Sequence, residues 1–204
     1  MTTRSLHDRR VAVIGATSIG RQVCLQLAAL SVKSVRLVGS GIVTTQDVDS
    51  GGYRSADIGL PKVDAVGDAC HQANPQLDFV DVSARASLPS ADCEIVFCCA
   101  SSALERRRAW AQLKSFCRLW IDAQAHTDIA QFLIAYDQAT KHRYQSLFDD
   151  RWVYIKAGRR APLVPVSAVA AGVAVYQFVS WTQGLELPAM LKLDLRSAKL
   201  NQFR

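Results

Sequence analysis

The stretch that most constrains this chain is Val11-Ala12-Val13-Ile14-Gly15, a short β-branched run that stops at a glycine. Behind it, the turn Gly15-Ala16-Thr17-Ser18-Ile19-Gly20 opens a helical pattern with Ile19, Val23, Leu25, Leu27 and Leu30 on an apolar face. A second strand follows, Ser34-Val35-Arg36-Leu37-Val38. Strand, glycine turn, helix and strand within about thirty residues open a doubly wound parallel sheet. At such a turn the backbone can approach phosphates where helix N–H groups and the dipole favour anions. Gly15, Thr17 and Gly20 are therefore candidate phosphate-binding positions. Thr17 takes the middle place of the G-x-G-x-x-G pattern, and the ribose-binding acid expected after the second strand falls at Gly39. Asp and Glu are absent between Arg21 and Asp47, which argues against a standard nicotinamide dehydrogenase. Tight strand–helix packing is the competing explanation for both glycines.

The rest of the chain continues the alternation. Residues 39–61 carry five glycines and little periodicity, and read as a long functional loop. A helix is expected over 62–72, stopped by Asn74-Pro75, and a strand over 77–82. Residues 94–99 form a continuous apolar run suited to a central parallel strand. A basic helix over 103–116, a strand over 118–122, a helix over 127–139 and a strand over 152–156 come next. A buried helix over 166–182 and a closing strand over 190–196 end the pattern. The expectation is one α/β domain over residues 1–204: a Rossmann-like, doubly wound, mainly parallel sheet with helices on both faces.

Composition narrows the partners. Lys and Arg number 24 against 18 acids, a net charge of +6. They are scattered except at Arg9-Arg10, Arg106-Arg107-Arg108 and Arg159-Arg160, which read as solvated faces and do not require a nucleic acid. The six cysteines, at 24, 70, 93, 98, 99 and 117, form no Cys-x-x-Cys pair and lie in apolar or amphipathic runs. They read as reduced, buried thiols of a cytoplasmic protein. The four histidines lack metal-ligand spacing, so no metal site is expected. The N-terminus shows no apolar run before Val11, hence no secretory signal. Residues 161–181 hold no charge and imitate a membrane span, but Pro162, Pro165, Ser167, Gln177 and Ser180 favour a largely buried core helix and no membrane partner.

Several motifs carry a resemblance. The run from Val11 to Val23 with Leu25-Gln26-Leu27-Ala28, then Asp57-Ile58-Gly59-Leu60-Pro61-Lys62, Asn74-Pro75, Trp120-Ile121-Asp122-Ala123 and Ala170-Ala171-Gly172 resemble the ThiF/MoeB-like family of the ubiquitin-activating enzyme superfamily. The similarity runs from about residue 10 to about residue 200. It implies ATP and magnesium as cofactors and adenylation of the C-terminal carboxylate of a ubiquitin-like or sulfur-carrier protein. Two anions must meet in that reaction, so cationic groups and a metal have to offset their repulsion.

Carried over by position, the ribose acid falls at Gly39 or Gly41, a loop Asn at Asp47, and an Arg or Gln at Gly51, with Arg54 near enough to substitute. Lys62 is retained, the magnesium-binding Asp falls at Ser101, and an Asp-Ala-Arg becomes Asp122-Ala123-Gln124. A thioester-forming cysteine would need to follow Cys117, and none does. The resemblance thus implies a degenerate member with Gly15, Thr17, Gly20, Lys62 and Arg54 as nucleotide contacts, no catalytic residue and no metal ligand. It would bind ATP with magnesium weakly or not at all. Its role would be that of a non-catalytic or regulatory subunit or protein-binding module, forming a homodimer or pairing with an active homologue, with a ubiquitin-like or carrier-protein tail as a further partner. The alternative is a divergent ATP-dependent adenylyltransferase acting on such a tail.

Overall fold

Five short strands form the parallel part of the sheet. β1 (Arg10–Ile14), β2 (Ser34–Gly39), β3 (Asp78–Ser83), β4 (Ile95–Cys98) and β5 (Leu119–His126) pair in parallel in the order β3-β2-β1-β4-β5. β6 (Ile129–Ala135), β7 (Met190–Asp194) and β8 (Lys199–Phe203) extend it antiparallel to eight strands. The computed structural model describes residues 6–83, 93–147 and 164–203.

Alternation along the strands divides the interior. Val11, Val13, Val35, Leu37, Phe97 and Ile121 face one core, with α1 (Ser18–Ala29), α3 (Lys62–Ala73) and α6 (Val164–Thr182) packed on that side. Ala12, Ile14, Val96, Cys98 and Trp120 face the other, under α4 (Ala103–Leu113) and α5 (Gln138–Ser146). There Trp110, Trp120 and Tyr144 meet edge-on or tilted, at centroid distances of 4.6–5.7 Å. Helices on both faces and the parallel centre agree with the sequence pattern. β1 lies between β2 and β4, so strand order reverses there, and the ends of β1 and β4 flank the crevice where ligands of open α/β sheets bind.

Four expectations are corrected. Residues 127–139 are not a helix: β5 turns through Thr127-Asp128, with Thr127 at φ +51°, straight into β6, and α5 begins only at Gln138. The run Phe132-Leu133-Ile134-Ala135 is buried throughout, and a buried strand shows no period to tell it from a helix. The loop over 39–61 contains α2 (Thr45–Gly51) and a 3-10 turn, Ser55–Asp57. The strand over 190–196 does not close the fold, because β8 pairs beyond it.

The fourth correction concerns α6, which is long and apolar enough to cross a membrane, although only half of its apolar window is buried. Val166, Ala170, Ala171, Ala174 and Phe178 are buried, while Val169 and Tyr176 are exposed. Its Ala and Val composition hides which face is inward, and packing on α1, β5 and β6 decides it. The strand expected over 152–156, the doublet Arg159-Arg160 and residues 161–163 lie outside the described residues.

Candidate functional site

The glycine turn is shaped by close backbone approach. Gly15 has φ +104°, and a Cβ there would lie 2.8 Å from the backbone of Cys99 and Ala100 at the end of β4. A Cβ on Gly20 would stand 1.9 Å from the Gly15 carbonyl oxygen. Both positions therefore require glycine for packing, whatever they bind. Thr17 caps α1: its Oγ1 accepts from the Gly20 N–H at 3.2 Å and donates to the Cys99 carbonyl at 2.9 Å. The cap ties α1 to the end of β4 and holds the helix N-terminus at the crevice.

The loop after β2 brings charge to this turn. Lys62 N–H donates to the Gly41 carbonyl at 3.0 Å, and Val43 N–H to that of Leu60 at 2.9 Å, which pins the start of α3 against the end of β2. Thr44 and Asp47 form a capping box on α2, and Asp47 Oδ1 accepts from Lys62 Nζ at 2.5 Å. Burial tends to raise the Asp47 pKa, but hydrogen bonds from Lys62 and Thr44 outweigh it and leave it below the usual carboxylate range. Tyr53, buried in the same loop, donates its hydroxyl proton to the Ala16 carbonyl at 3.1 Å. Its ring lies 5.2 Å from the Arg21 guanidinium carbon and 6.0 Å from Lys62 Nζ.

Gly15, Thr17, Gly20 and Lys62 thus converge around Tyr53. Arg54 is directed elsewhere, since its Nε and Nη2 grip the buried Asp57 carboxylate at 2.7–3.2 Å. That bond, with the Arg54 backbone N–H, holds the Asp57 pKa below its ordinary value. Pattern reading missed Arg21 and Tyr53. Arg21 follows Gly20 directly in the first turn of α1, a position from which a long cation can reach the crevice, and that placement was the available signal.

The positions aligned with carboxylates differ physically. A Cβ on Gly39 would meet Ala16 Cβ at 2.7 Å and Val63 Cγ1 at 3.2 Å, so the fold as packed has no room for a ribose acid there. Gly41 has open space, but its φ is +92°. Ser101 is exposed and Ser102 caps α4, its Oγ accepting from the Glu105 N–H at 3.5 Å. Asp122 at the end of the parallel core is fully buried and accepts from Arg106 Nη1, from the Tyr144 hydroxyl at 2.7 Å and from Gln124 Nε2 at 3.4 Å. Arg106 Nη2 donates to the Ala100 carbonyl. Of the basic triplet, only Arg107 and Arg108 are exposed, because Arg106 turns inward to a partner on the neighbouring strand. No group of three metal-binding side chains occurs among the described residues. A magnesium ion wants several carboxylate, phosphate or water oxygens, and the residues at this crevice do not fit it.

The ThiF family model matches residues 2–203. No curated protein sequence matches the chain. Among solved structures, PaaA superposes with a TM-score of 0.74 at 18% identity, over 98% of this chain and 74% of its own. Escherichia coli MccB with ATP gives 0.73 at 16% identity, over 98% and 64%. The microcin C7 biosynthetic enzyme MccB with N-formylated MccA gives 0.72 at 14%, over 98% and 65%. The chain therefore spans just under two thirds of the MccB chains, and identities this low establish a shared fold.

Proposed function

The chain belongs to the ThiF family, and from that membership we propose that it binds ATP over the glycine turn and adenylates the C-terminal carboxylate of a peptide or small carrier protein. In that reaction a carboxylate oxygen attacks the α-phosphorus, the bond to the β-phosphate oxygen breaks, and pyrophosphate leaves. The observation that carries the reading is the meeting of the capped α1 N-terminus, Lys62 and Arg21 at the topological switch point. Gly15, Thr17 and Gly20 would present backbone to the phosphates. Lys62 would exchange Asp47 for a phosphate oxygen, and Arg54 would join only by releasing Asp57. The likeness to MccB, solved with ATP and with MccA, supports a nucleotide and a second substrate.

One observation favours a non-catalytic protein-binding subunit: no side-chain carboxylate stands at positions 39, 41 or 101. Such a subunit, or the enzyme itself, would pair with a second copy or an active homologue. Six free, buried thiols suit a reducing compartment such as the cytoplasm. Calorimetry with ATP, then ATP–pyrophosphate exchange with candidate C-terminal peptides, separates the two readings. Exchange that depends on the peptide supports the enzyme. Binding without exchange across a panel of peptides, or no binding at all, supports the subunit.

A further inference from the structure

Arg21 is 8% exposed, its Nε is buried without a hydrogen-bond partner, and among the described residues its guanidinium feels the Asp57 carboxylate but makes no hydrogen bond or close ion pair with it. Burying an unpaired cation costs several kcal/mol unless something offsets it. The nearby acids are already engaged: Asp57 is gripped by Arg54, and Asp47 by Lys62 and Thr44. Of the cations Arg21, Lys62 and Arg54, only Arg21 makes no hydrogen bond to a carboxylate among the described residues. Its guanidinium is held in place on one side by the Tyr53 ring, whose hydroxyl is fixed to Ala16 in the glycine turn.

We propose that Arg21 is the phosphate ligand of this crevice, a fixed guanidinium that lets the chain bind a nucleotide polyphosphate without a metal ion. The inference rests on the nucleotide reading above and adds to it the group that neutralises the phosphates. A guanidinium is planar, always charged and more weakly hydrated than an ammonium, so it can wait in a dry position and still form a forked pair with two phosphate oxygens. It supplies the cation that Ser101, lacking a carboxylate, does not recruit. The phosphate in turn supplies the acceptors that Arg21 lacks.

The test is calorimetry with ATP and, separately, inorganic triphosphate, each in EDTA and in excess magnesium, on the wild type, Arg21→Met and Arg21→Lys. Removing charge-assisted hydrogen bonds of this kind weakens binding by about 10- to 100-fold. The expected result is wild-type binding of both ligands in EDTA, loss of that size in Arg21→Met and an intermediate loss in Arg21→Lys. Arg21→Lys keeps the charge and serves as the readout if the Met variant does not fold. Magnesium-dependent ATP binding that ignores Arg21 overturns the inference and leaves the nucleotide reading standing. Triphosphate binding through Arg21 without ATP binding overturns the nucleotide reading and keeps Arg21 only as a ligand of inorganic polyphosphate. Failure of both ligands in both conditions overturns both.

Discussion

Two arginines are buried in the first turns of α1 and α4, the helices that follow the neighbouring strands β1 and β4, and do opposite things. Arg106 is saturated: it donates to Asp122 and to the Ala100 carbonyl, and Tyr144 and Gln124 complete the carboxylate's shell. Arg21 has an aromatic face beside it and no hydrogen-bond acceptor among the described residues. Arg106 has its partners inside the fold, whereas the partner proposed for Arg21 is a phosphate. The two halves of the crevice therefore divide the work. The β4–β5 side is a rigid wall closed on itself, and the β1–β2 side keeps an open cationic position.

The largest effect is expected on the closed side. Arg106→Met leaves Asp122 buried without its counter-charge and should cost about 3–5 kcal/mol in chemical denaturation. A loss under about 1 kcal/mol would make Arg106 as dispensable as a surface residue and would break the contrast. Arg21→Met should leave the stability without ligand unchanged or raise it, because it removes a buried charge whose cost exceeds what the ring contact returns. A large loss would mean that Arg21 is structural too.

The sequence shows the open side better than the closed one. The strand–glycine–helix unit is local, with every diagnostic residue between Val11 and Val38, so spacing alone places the turn and the capped helix. Arg106 looks like the rest of an exposed Arg triplet because its partner, Asp122, lies on a separate strand that only the β4–β5 pairing brings near. Arg21 carries a sequence signal in its place beside Gly20, but its lack of an acceptor depends on where Asp47 and Asp57 turn, which no spacing encodes. The hairpin over 126–129 is hidden for a different reason: residues 130–135 are apolar or buried at every position, leaving no period to read.

Smaller effects sharpen the charge balance on the open side. Asp57 is held below the ordinary carboxylate pKa of about 3.9 by Arg54, so its contribution to stability is full above that value and is lost as pH falls through the lower folded-state pKa. Arg54→Ala should flatten that acid limb in a pH series of urea melts, and an unchanged limb would show that the pair is idle. The smallest effect is expected from the thiols. Burial pushes Cys70 and Cys117 up to about 12, so both are protonated near neutral pH. A thiol reagent at pH 8 should label none of the six cysteines in the native protein and all six in denaturant; rapid native labelling would contradict their burial.

The most direct test of the two-arginine account is a crystal structure with a non-hydrolysable ATP analogue, grown in EDTA. The account predicts phosphates over the N-terminus of α1, an oxygen about 3 Å from an Arg21 Nη, and Arg106 still on Asp122 and Ala100. Phosphates seated elsewhere with Arg21 untouched, or Arg106 withdrawn from Asp122 to meet them, would contradict it.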